Sequence, residues 1–227
     1  LDERTIPGQG LVAQINHKRV MRAGGDERNF KFDVADAWIT KIEFVPDLHM
    51  NGLLVVATGS NQVFTFDVEN RVQVSVFKGH SMAVKAFSWC KQYKSMASGG
   101  LDREIQVWDW KTGRRSGTLT GHKSPIDDMC YYEKRDVLFS LDNRHYLLMW
   151  DASKQVLLDR LNTDEHDVVG ALHRLRVGRI LVDQDRGHLA MCARHPHLWK
   201  IKVIEEQHRG VVRHHNPIVT ALYSQQF

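Results

Sequence analysis

The chain has 227 residues, 42% of them hydrophobic and 26% charged, with a formal net charge of +4. That balance belongs to a globular chain rather than a disordered one, and the length admits one large domain or two small ones. Its apolar runs, such as Leu53-Leu54-Val55-Val56-Ala57, fall far short of the ~20 residues a membrane-crossing helix needs, and the collagen and coiled-coil classes are excluded as well.

Cys90, Cys130 and Cys192 are widely spaced with no C-x-x-C pair, so neither a disulfide framework nor a zinc ribbon is expected, and a reducing, cytoplasmic setting is. The sequence begins at Leu1, so a targeting signal is not judged from it. Charge is unevenly spread. Between Ala171 and Pro217 nine Lys and Arg face four acids, and seven of the thirteen histidines lie there too. Such a patch attracts acidic tails or phosphates, although a solvated loop surface is its plainer reading. No run of five or six like charges and no interleaved aromatic platform points to nucleic acid.

In chain order, residues 1–35 contain one expected strand, Asn29–Val34, that fits no obvious register. Beyond it a period emerges. Val107-Trp108-Asp109 is matched by Met149-Trp150-Asp151 42 residues on and by Thr65-Phe66-Asp67 42 residues back. Gly79-His80 recurs 42 residues later as Gly121-His122, and a weaker Glu165-His166 follows after 44 more. After Gly79-His80 come four short runs: Val84, Ala86 and Phe87; Met96-Ala97-Ser98; Ile105–Trp108; and Ser116–Thr120. They are separated by Lys91–Lys94, Gly99–Arg103 and Lys111-Thr112-Gly113, which carry turn chemistry, so each period is read as a four-stranded antiparallel meander. No window keeps a helical period, and the fold class is all-β.

This pattern resembles the WD-repeat family, whose G-H…W-D signature marks blades of a β-propeller. The resemblance is strongest over residues 79–120, good over 121–161 and degenerate over 36–78 and 162–213. Residues 214–227 are read as the first strand of a further repeat, and residues 1–35 as strands of a preceding blade. Four blades at this period imply part of a larger propeller; the alternative is a smaller closed ring latched by the N-terminal strand.

The resemblance also implies a hydrogen-bonded cluster inside each well-formed blade. Its positions here are His80, Ser98, Asp102 and Trp108, which alternate as donor and acceptor. A Ser-His-Asp set invites a catalytic reading, but the indole partner and the repeat context argue for structure. In the next repeat His122, Ser140 and Trp150 match. Counting from Trp150 puts Arg144 at the position of Asp102, with Asp142 two residues early, which leaves the closing carboxylate open. In the first repeat Phe66 replaces Trp, and Thr58 is taken as the hydroxyl position of a hairpin two residues shorter. In the fourth, Trp199 is the candidate after an insertion. The degenerate repeats are expected to rely on apolar packing.

Cys192, His195, His197, His208, His214 and His215 are read as an exposed His-rich stretch rather than a metal site. Gly24-Gly25-Asp26 and Gly99-Gly100 are turn glycines without a phosphate-loop Lys. No metal, cofactor or enzymatic activity is expected. The family resemblance implies a rim of loops, before the first strand and between the second and third, that binds other proteins. On this chain those positions are Ser81, Lys85, Leu101, Arg103, Lys123, Asp127, Arg144 and His145. The degenerate repeats are similar to those of multi-propeller WD-repeat proteins of cilia and flagella. A scaffold in a large axonemal or microtubule-associated assembly is therefore expected, with the basic stretch meeting acidic surfaces such as tubulin tails. The alternative is a substrate receptor of a cullin-type ubiquitin ligase. That group carries an Arg two residues after W-D, where this chain has Lys111 and Ser153.

Overall fold

The computed structural model describes residues 34, 37–46, 52–162, 178–192, 197–208 and 211–224, with backbone alone at 162, 191–192, 197–208 and 211–224. Among these residues sixteen strands form four sheets, each with its strands in sequence order. The first holds β1 (Ile39–Val45), β2 (Leu53–Thr58), β3 (Gln62–Asp67) and β4 (Val72–Lys78). The second holds β5 (Val84–Cys90), β6 (Ser95–Gly100), β7 (Ile105–Asp109) and β8 (Arg115–Leu119). The third holds β9 (Ile126–Tyr132), β10 (Val137–Asp142), β11 (Tyr146–Asp151) and β12 (Val156–Asn162). The fourth holds β13 (Arg179–Asp183), β14 (His188–Cys192), β15 (His197–His208) and β16 (Val211–Ser224).

The sheets stack face on face because their middle strands are apolar on both sides. Val45, Leu53, Val55 and Phe77 of the first sheet meet Val84, Phe87, Met96 and Trp108 of the second. Ala86, Ala97, Ile105 and Val107 of the second meet Ile126, Met129, Leu138 and Trp150 of the third. Phe139, Leu141, Leu147 and Met149 of the third meet Ile180 and Leu189 of the fourth. A strand buried on both faces has no polar side to show, and the burial of β10, complete along its length, is the plainest case. The first strand of each sheet lies against the first strand of the next, so these four strands line an inner wall.

The turns repeat more faithfully than the side chains. Left-handed backbone occurs at Gly52, Lys94 and Asp136, at Asn61, Arg103 and His145, and at Arg71, Gly113 and Gln155. Each trio keeps the spacing of 42 residues. The degenerate first repeat therefore makes the same three turns as the second and third. A bulge recurs too: register shifts at Ile39/Lys41, Val84/Ala86 and opposite Ile126/Asp128 leave Thr40, Lys85 and Asp127 as the extra residues. A bulge re-aims its side chain, and here it aims between sheets. Thr40 Oγ1 donates to Val84 O at 2.5 Å, and Lys85 Nζ meets Asp127 Oδ1 at 2.8 Å.

Two expectations need correcting. Of the segment expected over 214–227, residues 214–224 do not begin a further sheet: they belong to β16, which pairs antiparallel with β15 from His197↔Ser224 to His208↔Val211 and is the outer strand of the fourth sheet, and residues 225–227 lie outside the described residues. Thr58 is not the counterpart of Ser98. Leu54↔Phe66 and Val56↔Phe64 repeat the register of Met96↔Trp108 and Ser98↔Gln106, so Val56 occupies that position and the hairpins are equal in length. Thr58 instead ends its strand, donating to Gln62 O at 2.9 Å. Trp199 lies on β15, opposite Leu189. Of the expected strand over 29–34, only Val34 falls among the described residues. Residues 195 and 196 fall outside them, as do the side chains of the His-rich stretch from Cys192 onward.

Candidate functional site

At one end of the stacked sheets lie the loops entering each first strand and the turns joining each second strand to its third. Just beneath them sits the polar cluster. His80 Nδ1 pairs with Asp102 Oδ2 at 2.7 Å and Nε2 with Ser98 Oγ at 2.7 Å, and Trp108 Nε1 donates to Ser98 Oγ at 2.7 Å. A carboxylate only accepts, so Nδ1 carries the ring proton; an indole N–H only donates, so the serine hydroxyl turns its own proton to Nε2. Every group is satisfied. Ser98 is fully buried, and its hydroxyl is held by both His80 and Trp108, so it has no access to a substrate. The Ser-His-Asp set is a structural lock.

The third sheet repeats the lock. His122 Nε2 meets Ser140 Oγ at 2.6 Å, and Trp150 Nε1 donates to Ser140 Oγ at 2.8 Å. The closing carboxylate is Asp142, whose Oδ2 lies 3.1 Å from His122 Nδ1, while its Oδ1 accepts the backbone N–H of Arg144 at 2.9 Å and of Tyr146 at 3.1 Å. Arg144, which counting from the Trp places at the carboxylate position, is an exposed turn residue. The offset has a steric cause. Gly100 occupies the position of Asp142 in the second sheet, and a Cβ there would lie 2.1 Å from Ala83 O. A side chain is barred, so the carboxylate moves two residues along the turn to Asp102. In the first sheet the lock is replaced outright: Trp38, Val56, Ser60 and Phe66 stand 42 residues before His80, Ser98, Asp102 and Trp108, and Val56 and Phe66 join Val34 and Phe64 in an apolar cluster.

The carboxyl groups of Asp102 and Asp142 are held below the ordinary value of 3.8. Burial opposes ionisation of both, but the histidine bonds and the backbone N–H groups of the turns outweigh it. A depressed native pKa means that the unfolded chain binds the proton more readily. The stabilisation is therefore present above about pH 4 and is lost as pH falls through the native value. Asp102→Asn is expected to lower stability at pH 7 while making its decline between pH 5 and pH 2 shallower than in the parent, read from urea unfolding at a series of pH values. An unchanged acid limb would show that Asp102 is not the titrating group.

Above the lock the rim positions differ in character. Lys85 is tied to Asp127 across two sheets. Ser81 is exposed and its backbone N–H donates to Asp102 Oδ2 at 3.2 Å. Leu101 is half-buried, its N–H bonded to Ala83 O, and His145 is half-buried in a left-handed turn. Arg103, Lys123 and Arg144 are exposed. Trp38, for which the sequence suggested packing in a core or at a blade edge, is 70% exposed on the same rim.

The inner wall borders an open cleft of about 590 Å³ lined by all four sheets. Its charges satisfy one another. Lys41 Nζ donates to Phe87 O at 3.0 Å and to Asp128 Oδ1 at 3.3 Å, and Asp128 also accepts the Ile180 N–H at 3.0 Å. Arg179 approaches the same carboxylate at 3.7 Å. The thiols of Cys90 and Cys130 are pushed up by burial, Cys90 to about 12, which removes thiolate reactivity. Among the described residues no group of three metal-ligating side chains converges.

A sequence model of the family described as WD domain, G-beta repeat matches residues 71–109, a stretch that takes β4 from the first sheet and β5 to β7 from the second. The nuclear distribution protein nudF of Aspergillus niger is 28% identical over 113 residues, 48% of this chain and 26% of that protein. The target of rapamycin complex subunit wat1 of Schizosaccharomyces pombe is 24% identical over 133 residues, 58% of this chain and 41% of that protein. The chain thus matches less than half the length of either relative. The crystal structure of the RRP9 WD40 repeats superposes with a TM-score of 0.60 at 18% identity, over 73% of this chain and 49% of that one. The period, the His-Ser-Asp-Trp lock, the ordered four-stranded sheets and these likenesses agree: residues 71–109 carry a WD40 repeat, and the chain has the blade fold of WD40 β-propellers.

Proposed function

We propose that the chain is a non-catalytic scaffold that holds other proteins on its loop-bearing end within a multiprotein assembly. The observation that carries this reading is the division of the molecule into a locked interior and a varied rim. The polar groups that resemble catalytic machinery are buried and mutually satisfied, whereas the rim presents Arg103, Lys123 and Arg144 to solvent. A relative whose name makes it a complex subunit supports the reading. Affinity purification of the whole protein is expected to retain a defined set of proteins. Recovery of the chain alone would overturn the scaffold reading.

The finer reading places this assembly in the cytoplasm on microtubules, in a cilium or flagellum, with the basic stretch between residues 171 and 217 against acidic tubulin tails. Co-sedimentation with microtubules is expected to weaken as salt rises from about 0.05 to about 0.3 M, because exposed charge attraction is screened over that range. Salt-insensitive binding, or none, would discard this part and leave the scaffold standing. The ubiquitin-ligase reading gains nothing from the structure. Lys111 lies over the Trp110 ring at 5.7 Å, and Ser153 turns back to Asp151 at 2.5 Å, so neither presents the projecting guanidinium that reading requires.

A further inference from the structure

The rim is chemically polar along its length. Following the chain through the three best-described sheets, its loops pass from Trp38, before β1, to Asn61, in the β2–β3 turn, and Met82, before β5. They then reach Arg103 in the β6–β7 turn, Lys123 before β9 and Arg144 in the β10–β11 turn. The first part is apolar: Trp38 is 70% exposed and Met82 is 51% exposed. The second is basic. Among the described residues no carboxylate lies within 4.0 Å of Arg103, Lys123 or Arg144. The acids that share this end are mostly committed. Asp102 and Asp142 are spent on the buried histidines and Asp127 on Lys85, leaving Glu104.

Trp38 is exposed but not loosely placed. Gly59 N donates to Trp38 O at 2.9 Å, and the indole lies so close over Gly59 that a Cβ there would fall 2.4 Å from Trp38 Cε2. One face of the ring rests on backbone and the other faces water. The neighbouring loops are tied together, with Asn61 Nδ2 donating to Ser81 O at 3.2 Å. An exposed, pre-positioned indole on a rim that also exposes Met82 is an anchor of the kind that dominates protein interfaces, and guanidinium and ammonium groups on the same rim with no carboxylate partner among the described residues select negative charge.

We infer that this rim binds an extended acidic peptide segment carrying one bulky apolar residue, which packs on Trp38 and Met82 while its carboxylates meet Arg103, Lys123 and Arg144. The inference rests on the scaffold reading and names the chemistry of its partner. A nucleic acid is the weaker occupant, because a single indole offers no stacking platform for successive bases.

The test is selection of a random twelve-residue peptide library on the full chain, followed by fluorescence anisotropy with one enriched peptide. Enriched sequences are expected to combine several Asp or Glu with one aromatic or large aliphatic residue. Arg103→Glu with Arg144→Glu is expected to weaken the enriched peptide at least about tenfold, as is Trp38→Ala. Both arms alter exposed side chains, and circular dichroism checks the fold. Gly59→Ala, which displaces the indole without removing it, is expected to weaken the peptide as well, while Lys91→Glu, in the β5–β6 connection at the opposite end, is expected to leave it unchanged. Enrichment of neutral or basic peptides, no enrichment, or displacement of the peptide by oligouridylate would overturn the proposal, as would indifference to Trp38→Ala. Proteins that still co-purify with the Trp38, Arg103 and Arg144 variants would show that the scaffold reading survives while this rim is not its contact surface.

Discussion

Trp108→Ala is expected to cost about 3–5 kcal/mol of unfolding free energy, the range for removing a large aromatic from a packed core, and this is a large part of the 5–15 kcal/mol typical of a domain. Two losses coincide. The indole is 1% exposed and fills the space between the first and second sheets beside Phe77, 5.7 Å away between ring centres. It also supplies the proton that Ser98 accepts. Trp108→Phe separates the two: most of the volume stays and the N–H is lost, for an expected cost of about 1–2 kcal/mol. The first sheet shows how the position is made apolar, since Phe66 there faces Val56 rather than a serine. Ser98→Val strands both Trp108 Nε1 and His80 Nε2 and is expected to cost more than Trp108→Phe. The Ser98→Val, Trp108→Phe double variant is expected to be less destabilised than the sum of the two, with a coupling of about 1 kcal/mol. Urea unfolding followed by circular dichroism measures all four corners of the cycle. Strict additivity would show that the serine and the indole do not act as one unit.

Much of the fold could be read because the period is carried by residues with narrow physical roles. Gly79-His80 and Trp108-Asp109 reported the sheet boundaries, since the histidine, serine and indole must meet across strands and the aspartate caps its own turn: Asp109 Oδ1 accepts the Lys111 N–H at 2.9 Å. What could not be read had steric or non-local causes. The closing carboxylate of the third sheet was obscured because the count from Trp150 set Arg144 against Asp102 and assumed the same side chain in the same turn, whereas the carboxylate stands two residues earlier, at the position of Gly100. Val56 was passed over for Thr58 because a search for a hydroxyl found one at the strand end, although register, not chemistry, defines the position. Residues 214–227 looked like a new first strand because a single apolar run does not reveal its partner; pairing of β16 with β15 decided it. Trp38 read as a core or blade-edge tryptophan although the period sets it against His80; only its contact with Gly59 and its exposure show where it lies.

Gly100→Ala is expected to destabilise the chain by about 3 kcal/mol, at the upper end for overpacking, although it adds a single methyl group. The added Cβ would lie 2.1 Å from Ala83 O and 2.9 Å from both Lys85 N and Val84 Cα. All three obstacles are backbone and none can rotate away. Ala83 O also accepts the Leu101 N–H at 3.0 Å, so relief of the clash requires opening the bond that closes the loop beneath His80. The same substitution at Gly178, where nothing lies within 4 Å of the added atom, is expected to change stability by less than about 0.5 kcal/mol. If the carboxylate sits at residue 102 only because residue 100 admits no side chain, then moving it back cannot succeed. Gly100→Asp combined with Asp102→Arg recreates the arrangement of the third sheet in sequence, yet it is expected to be no more stable than Gly100→Ala, because the barrier is the Cβ and not the placement of charge. Thermal unfolding of these variants beside the parent decides the point: a double variant as stable as the parent would mean that the hairpin accommodates a side chain at residue 100, and that the two-residue offset between the locks has another origin.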